Sequence, residues 1–289
     1  MSGSSPWNYR DIRAVLTTMH AKERVIARIL REGLGLHVEL ADAVDTDRFG
    51  TFSREVERSG SQLDAAKAKI AVGLERAPGA RVGLASEGSF GPHPHIPFLA
   101  LGRELVLMVD RDNGLELIGY DASPETNFAH AIARDFDEAM AFAERVGLPE
   151  HGLIVMGCHD DQPAPEILLR KDVTDRDMLE SAFREACRHC GAAFVETDMR
   201  AHRNPTRMAA IERATNDLVR LFHSRCPHCD YPGFDVTECV PGLPCAWCGQ
   251  PTGLVMTEIL TCRSCGHRIE RPASDQTAAD PGQCDGCNP

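Results

Sequence analysis

The sequence predicts an α/β protein with a mixed, partly parallel sheet and flanking helices, followed by a small C-terminal zinc-ribbon module with two four-cysteine sites. Short apolar segments alternate with amphipathic helix patterns over residues 1–222, as in strand–helix–strand units with some parallel pairing. Beyond that point, eight of the twelve cysteines form four CxxC pairs, which is the spacing of zinc sites. We therefore expect two domains, residues 1–222 and 223–289, with residues 1–12 disordered.

The predicted elements of the first half are strands at 14–19, 36–40, 82–86, 104–111 and 115–120, and helices at about 22–31 and 61–77. Gly33 and Gly35 end the first helix. Ser61 and Asp64 form a capping box at the start of the second. Residues 112–114, Asp-Asn-Gly, form the turn of a hairpin between the last two strands.

The predicted elements of the second half are strands at 152–158 and 194–199, and helices at 136–146, at about 174–190 and from 205 to 222. Thr174 and Asp177 form a capping box for the second of these helices. Asn204 caps the third, with Pro205 at its first position. Strands and helices therefore alternate to the end of the first domain.

Composition and charge restrict the class of protein. The formal net charge is −12, and residues 223–289 contribute −4 of it, with 4 basic and 8 acidic side chains. This balance disfavours nucleic acid as a partner, although Arg263, Arg268 and Arg271 could still form a local basic patch. No apolar run reaches 18 residues and the polar N-terminus lacks a signal core, so we expect a cytoplasmic protein with no membrane partner.

Residues 81–98 are the stretch around which the predicted site is organised. A buried strand ends at Ser86, and Glu87 follows it, before a loop that contains Gly88 and Gly91. Open α/β sheets build their sites at the carboxyl ends of strands, so a carboxylate here is placed to hold a metal or to activate a water molecule. The alternative is an acid that caps a loop turn.

Two other groups of residues indicate a site for phosphate and Mg²⁺. His20 and Lys22 lie where the first strand turns into a helix, and a helix N-terminus favours anions; an exposed lysine in a first turn is the alternative. The acidic residues of the irregular stretch that follows the second strand are Asp45, Asp47, Glu55 and Glu57. Carboxylate oxygens suit Mg²⁺, while a solvated acidic loop is the alternative.

A run of polar residues extends from Glu196 to Arg207. Glu196, Asp198, Arg200 and His202 alternate with other residues, so that a strand would place all four on one face. Arg207 follows at the start of the next helix. This run is either the wall of a site or the solvated face of an edge strand.

The four CxxC pairs predict two closed tetrahedral zinc sites, which we interpret as structural because four thiolates leave no open coordination position. The predicted ligands are Cys226, Cys229, Cys245, Cys248, Cys262, Cys265, Cys284 and Cys287. Sequential pairing, the first pair with the second and the third with the fourth, is the preferred interpretation. A cross-braced arrangement fits the same spacings.

Nearly the whole chain resembles a family of uncharacterised bacterial proteins that ends in a similar pair of zinc knuckles. The stretches that carry this resemblance are TMHAKERVIA, DTDRFGTF, ASEGSFGPHP, ETDMRAHRNPTRM, PGLPCAWCG and ADPGQCDGC. The resemblance implies no particular activity.

Residues 14–90 are also similar to the inosine-triphosphate pyrophosphatase superfamily. The similarity lies in TTMHAK at 17–22, GTF at 50–52, AAKAK at 65–69 and SEG at 86–88. It implies that Lys22 and either Lys67 or Lys69 contact a triphosphate, that Glu55 helps to hold Mg²⁺, and that Glu87 binds metal or positions water. His20 stands where the superfamily has asparagine, and Glu87 where it has aspartate.

Two functional hypotheses follow. The first is a Mg²⁺-dependent phosphohydrolase or pyrophosphatase that acts on a nucleotide or a related phosphate compound, with Lys22, Glu55 and Glu87 in the chemistry. The second is a non-enzymatic module that senses a ligand and uses its zinc ribbons to bind protein or nucleic acid. Convergence of the polar groups on one site would favour the first.

Overall fold

The computed structural model describes residues 6–42 and 60–289. The chain divides into two compact units, Met1–Val219 and Arg220–Pro289. The acidic residues predicted to bind Mg²⁺ at 45, 47, 55 and 57 lie outside the described residues.

The helices that the structure describes are α1 (Glu23–Leu34), α2 (Gln62–Arg76), α3 (Phe136–Val146), α4 (Arg176–Cys190) and α5 (Pro205–His223). The strands of the first unit are β1 (Arg13–Thr17), β2 (His37–Leu40), β3 (Val82–Pro92), β4 (Ala100–Asp110), β5 (Leu115–Ser123), β6 (His130–Ala133), β7 (Leu153–His159), β8 (Gln162–Val173) and β9 (Ala193–Thr197). The strands of the second unit are β10 (Asp235–Pro241), β11 (Val255–Thr261) and β12 (Arg268–Pro272).

A five-stranded sheet in the order β2-β1-β3-β4-β5 forms the first half of the larger unit. β1 pairs in parallel with both β2 and β3, whereas β3, β4 and β5 pair antiparallel. The mixed, partly parallel sheet expected from the sequence is therefore confirmed. The parallel pairing brings the end of β1 beside the middle of β3, which positions the site described below.

Helices cover both faces of this sheet. On one face Ala85 and Leu107 pack against Ile70 of α2. Side chains alternate across a strand, so the intervening residues point to the opposite face. There Gly119 of β5 allows a close approach, because a Cβ at this position would come within 3.0 Å of the backbone of Ala214 in α5.

β3 is longer than predicted. It continues six residues past Ser86 to Pro92, and β4 pairs with it antiparallel over its whole length. The prediction of a strand that ends at Ser86 and breaks into a glycine loop is therefore wrong. The hydrogen bonds to β4 hold Gly88 and Gly91 in extended structure, and the site lies along an edge of the strand rather than in a loop.

A second sheet in the order β6-β9-β7-β8 is antiparallel throughout and packs against α3 and α4. The sequence pattern does not predict β6 or β8. β8 contains Pro163 and Pro165 and pairs with β7 through two register shifts, so its apolar residues do not alternate cleanly. The helix cap also differs from the prediction, since Asp175 rather than Thr174 accepts the hydrogen bond from the Met178 amide.

Candidate functional site

The side chain of Lys22 lies at the point where the parallel pairing of β1 with β3 ends. After β1 ends at Thr17, the chain turns through His20 and Ala21, both with positive φ (67° and 60°). The Lys22 Nζ then donates hydrogen bonds to the Ser86 carbonyl at 3.3 Å and to the Ser86 hydroxyl at 3.0 Å. Because the pairing of β1 with β3 ends at Ala85, the ammonium group occupies the next position along the edge of β3.

A buried ion pair lies on the face of β3 that α2 covers. Lys69 of α2 contacts Glu87, and both side chains are almost fully buried. Gln62, at the start of the same helix, donates to the Glu87 carbonyl. Lys67, the other lysine suggested by the resemblance, lies instead at the surface and pairs with Glu116 at 3.0 Å.

A second buried ion pair lies on the opposite face. The Arg207 Nε donates to the Glu104 Oε1 at 2.6 Å, and each side chain is about 1% exposed. Asn204 caps α5 as predicted, because its Oδ1 accepts the Arg207 amide, and the cap orients the first turn of the helix. Gly88 makes room for the pair, since a Cβ there would come within 3.0 Å of both Glu104 Oε1 and Arg207 Nη2.

These five residues form what we term the charge cluster: Lys22, Lys69, Glu87, Glu104 and Arg207. Burial, followed by the nearby guanidinium of Arg207, lowers the pKa of Lys22 from its ordinary 10.5 to about 7, while Glu104 and Glu87 act in the opposite direction. With Lys22 protonated, the cluster holds three cations and two carboxylates, distributed over both faces of β3. The charge cluster then carries a net charge of +1 in a setting that excludes water.

His20 reports on the electrostatic field beside the charge cluster. Burial, followed by the neighbouring His202 and by the cations Lys22, Arg207 and Arg200, lowers the pKa of His20 to about 3. The imidazole is therefore neutral at pH 7 and stacks on His202 with ring centroids 5.0 Å apart. Such a field, positive and partly desolvated, attracts an anion.

The residues from 198 to 203 lie beside the charge cluster but do not form the predicted strand face. β9 ends at Thr197, and residues 201–203 form a short 3-10 helix. Asp198 is fully buried and accepts hydrogen bonds from the backbone amide and two side-chain nitrogens of Arg200, which also pairs with Asp172 at 3.1 Å. The alternation of polar residues in this stretch therefore reflects a turn rather than one face of a strand, and Glu196 alone of the four belongs to β9.

A groove of about 630 Å³ lies between the start of α1 and the start of α5. Ala21, next to Lys22, forms part of its wall, and so does His202, which stacks on His20. Val25 and Met208 give it an apolar lining. Its wall thus includes the chain neighbour of Lys22, while none of the five residues of the charge cluster is among the described residues that line it.

Sequence reasoning missed Glu104, Ser86 and Asp172. Glu104 begins the apolar run ELVLMV and shares its face of β4 with Val106 and Met108, both fully buried. A carboxylate at a core-facing position of a strand is costly unless it has a partner. A glutamate at a buried strand position was therefore the signal available in the sequence. Its meaning became clear only when the structure placed Arg207 beside Glu104.

The eight cysteines of the CxxC pairs form two groups of four in the second unit. One group is Cys226, Cys229, Cys262 and Cys265, and the other is Cys245, Cys248, Cys284 and Cys287. The distances between sulfurs of different pairs are 3.6 to 3.8 Å. A tetrahedral zinc ion with Zn–S bonds of about 2.3 Å separates its sulfurs by about 3.8 Å, so the donor set and its size fit zinc.

The pairing is cross-braced, and the preference for sequential pairing is wrong. The antiparallel register of β10 and β11 places Thr261 opposite Asp235, which brings the third CxxC pair beside the first. At the other end of the same strands, Cys245 forms a bridge with Ala279 that brings the fourth pair beside the second. Spacing along the chain is the same for both arrangements, so the sheet register decides between them.

The suggested basic patch of this unit is largely paired with acidic residues. Arg268 pairs with Glu238 at 2.9 Å, and Arg271 pairs with Glu258 at 2.8 Å. Two of the three arginines of the suggested basic patch are thus neutralised. The most exposed aromatic residue of the unit is Trp247, in the second knuckle, with 79% of its surface accessible.

A family model described as a domain of unknown function, DUF6671, matches residues 69–289. The matched region contains both cysteine groups and four of the five residues of the charge cluster, and it starts after Lys22. No curated protein matches the chain. None of the helices within residues 6–42 and 60–289 combines the length and apolarity that crossing a membrane requires.

Proposed function

This chain belongs to the DUF6671 family, and we propose that its activity is the Mg²⁺-dependent hydrolysis of a phosphate compound, a nucleotide or a related ester, at the charge cluster. We further propose that zinc fills both four-cysteine groups as a structural metal, since a module this small has little apolar core of its own. The similarity of residues 14–90 to the inosine-triphosphate pyrophosphatase superfamily agrees with the first proposal.

The proposal depends on one observation. Three cations from separate elements, Lys22 before α1, Lys69 in α2 and Arg207 in α5, lie buried around the same part of β3. Burying three cations within reach of one another is unfavourable unless carboxylates and a bound anion offset them. Two carboxylates are present, which leaves one positive charge for a ligand. The depressed pKa of His20 has in part the same origin, because the cations around it disfavour a further positive charge.

In the proposed reaction, Lys22 and Arg207 hold the phosphoryl oxygens and offset the charge that develops on them. A water molecule attacks phosphorus, the bond from phosphorus to the leaving oxygen breaks, and the proton of the water passes to Glu87. Mg²⁺ would be held by Glu87 and Glu55, and it would add charge stabilisation when bound.

Within the described residues, no three Asp, Glu, His or Cys side chains come together at the charge cluster. The ion would therefore bind together with substrate oxygens, as Mg²⁺ usually does. The oxygen donors of Glu87 suit this ion, while Glu55 lies outside the described residues.

The test is a screen for Mg²⁺-dependent release of phosphate and pyrophosphate over nucleotides, including those with deaminated purines. We expect Glu87→Gln to lower the rate by at least about 100-fold, the scale of a lost general base, with zinc content unchanged. Glu116→Gln, which removes a surface carboxylate from the comparable pair with Lys67, is the matched control and should keep the wild-type rate. Equal rates in wild type and a folded Glu87→Gln protein would exclude this role.

One observation favours a second candidate, a domain that binds the phosphate compound without turning it over. Glu87 is already paired with Lys69, and Glu104 with Arg207, so an attacking water would have to compete with a cation for each carboxylate. Under this hypothesis, phosphate raises the melting temperature while the release screen stays silent. Trp247 would then be available to a protein partner of the zinc module.

A further inference from the structure

Glu104 has one paired oxygen and one unpaired oxygen. Its Oε1 accepts the Arg207 Nε, whereas its Oε2 is buried and has no hydrogen-bond partner among the described residues. Folded proteins rarely leave a buried carboxylate oxygen without a donor, because such an atom has lost its water and gained nothing in return. The Oε2 of Glu104 therefore calls for a donor from outside the described part of the chain.

The charged groups around Glu104 come from every element that packs against it. Arg207 approaches from α5, Lys22 from the start of α1, and Glu87 with Lys69 from the other side of β3. On β5, Asp121 lies directly opposite Glu104 and pairs with Arg213 at 2.8 Å, so this pair adds no net charge. Lys22 directs its hydrogen bonds to Ser86 rather than to Glu104. The unpaired oxygen thus lies within the charge cluster, next to two cations.

We propose that Glu104 Oε2 accepts a hydrogen bond from a protonated oxygen of the bound anion, so that the site selects a hydrogen phosphate group over a sulfate group. This specificity role rests on the proposed function, since it requires that the charge cluster binds an oxyanion. A carboxylate repels a fully ionised oxyanion, but it binds one that carries an O–H. Sulfate has no such proton at neutral pH, although its size and shape match those of phosphate.

Net charge leads to the same preference independently. The charge cluster carries +1 when Lys22 is protonated, so a monoanion neutralises it and a dianion leaves an excess negative charge in a buried region. An unpaired buried charge is strongly unfavourable. A singly ionised phosphate satisfies both the charge and the unpaired oxygen of Glu104.

The test uses the full-length protein with its zinc, without added divalent metal, and inorganic phosphate and sulfate as the two probes. Their affinities are measured by calorimetry between pH 6 and pH 8.5. Titration of Lys22 weakens both anions equally as pH rises, so the ratio of the two affinities removes its effect. At pH 6 we expect the wild type to prefer phosphate by about tenfold or more, a difference of about 1.4 kcal/mol. The ratio should fall as phosphate becomes a dianion, because the charge preference is lost, but it should stay above one, because the dianion keeps one O–H for Glu104.

Glu104→Gln provides the direct variant. Its amide has the same shape and can donate to sulfate, so we expect the preference for phosphate to disappear and sulfate binding to strengthen. The comparison at pH 8.5 tests the same role without any substitution, in case Arg207 needs the Glu104 charge for folding, because phosphate is then a dianion like sulfate but keeps one O–H.

Equal affinity of the wild type for both anions at every pH would overturn the role of Glu104 while leaving the anion site standing. A folded Glu104→Gln protein that keeps the preference would overturn it as well. Failure of the wild type to bind either anion would overturn both this role and the proposed function.

Discussion

The Lys22 Nζ lies 3.0 Å from the Ser86 hydroxyl, where β1 has ended and β3 continues. Lys22 follows two residues in the left-handed conformation, and its ammonium group donates hydrogen bonds to β3 just beyond the last residue that pairs with β1. It thereby places a positive charge in the interior. The two positive φ values at His20 and Ala21 are the conformational cost of this placement, and such strain concentrates at functional sites.

Lys22→Met should change how stability depends on pH. The pKa of Lys22 is about 7 in the folded protein against an ordinary 10.5, so the unfolded chain binds more protons between these values. The destabilising effect of burying the charge is therefore complete below pH 7 and is lost as pH rises towards 10.5.

We expect wild type to gain stability relative to Lys22→Met over this range, by up to about 1.4 kcal/mol per pH unit, in urea unfolding at pH 6.5 to 9.5. Lys67→Met, at an exposed lysine, should follow the wild-type pH dependence. A difference between wild type and Lys22→Met that does not vary with pH would contradict the placement of Lys22.

Gly88→Ala should displace the side chains of the Glu104–Arg207 ion pair, which pack against Gly88 of β3. The added methyl group would come within 3.0 Å of Glu104 Oε1 and Arg207 Nη2, and neither can move without losing its partner. We expect the free energy of unfolding to fall by about 1–3 kcal/mol, as for other overpacked positions, together with phosphate affinity.

Gly91→Ala is the matched control for this change, because it lies in the same strand and a Cβ there meets no atom of the described residues within 4 Å. Its unfolding midpoint in urea and its phosphate affinity should stay close to those of the wild type. If both variants lose stability equally, the effect belongs to the strand and not to the ion pair.

Cys229→Ser tests the cross-braced pairing. Loss of this thiolate should release one equivalent of zinc and leave Cys226, Cys262 and Cys265 open to alkylation, because all four belong to one group. The cysteines of the other group should stay protected. Zinc content by plasma mass spectrometry and peptide mapping of alkylated cysteines would measure both effects, and alkylation at Cys245 and Cys248 instead would support sequential pairing.

Much of the architecture follows from local patterns. The apolar segments predicted β1 and β7 closely, the Ser61–Asp64 capping box predicted the start of α2, and the Asn204–Pro205 pair predicted that of α5. These signals depend on residues close together in the chain. β8, with its two prolines and shifted register, lacks such a signal, and its place depends on pairing with β7.

The sequence by itself determined the fold class, the eight cysteines of the two groups that could hold metal ions, and the separate stretches that contain Lys22, Lys69, Glu87 and Arg207. Tertiary structure alone decided which of them meet. Parallel pairing brought Lys22 to Ser86, the opposite faces of β3 received two different ion pairs, and the register of β10 with β11 set the cross-brace. The physical reason is that side-chain identity and spacing carry local preferences, whereas a buried charge is stable only beside a partner that the folded chain supplies.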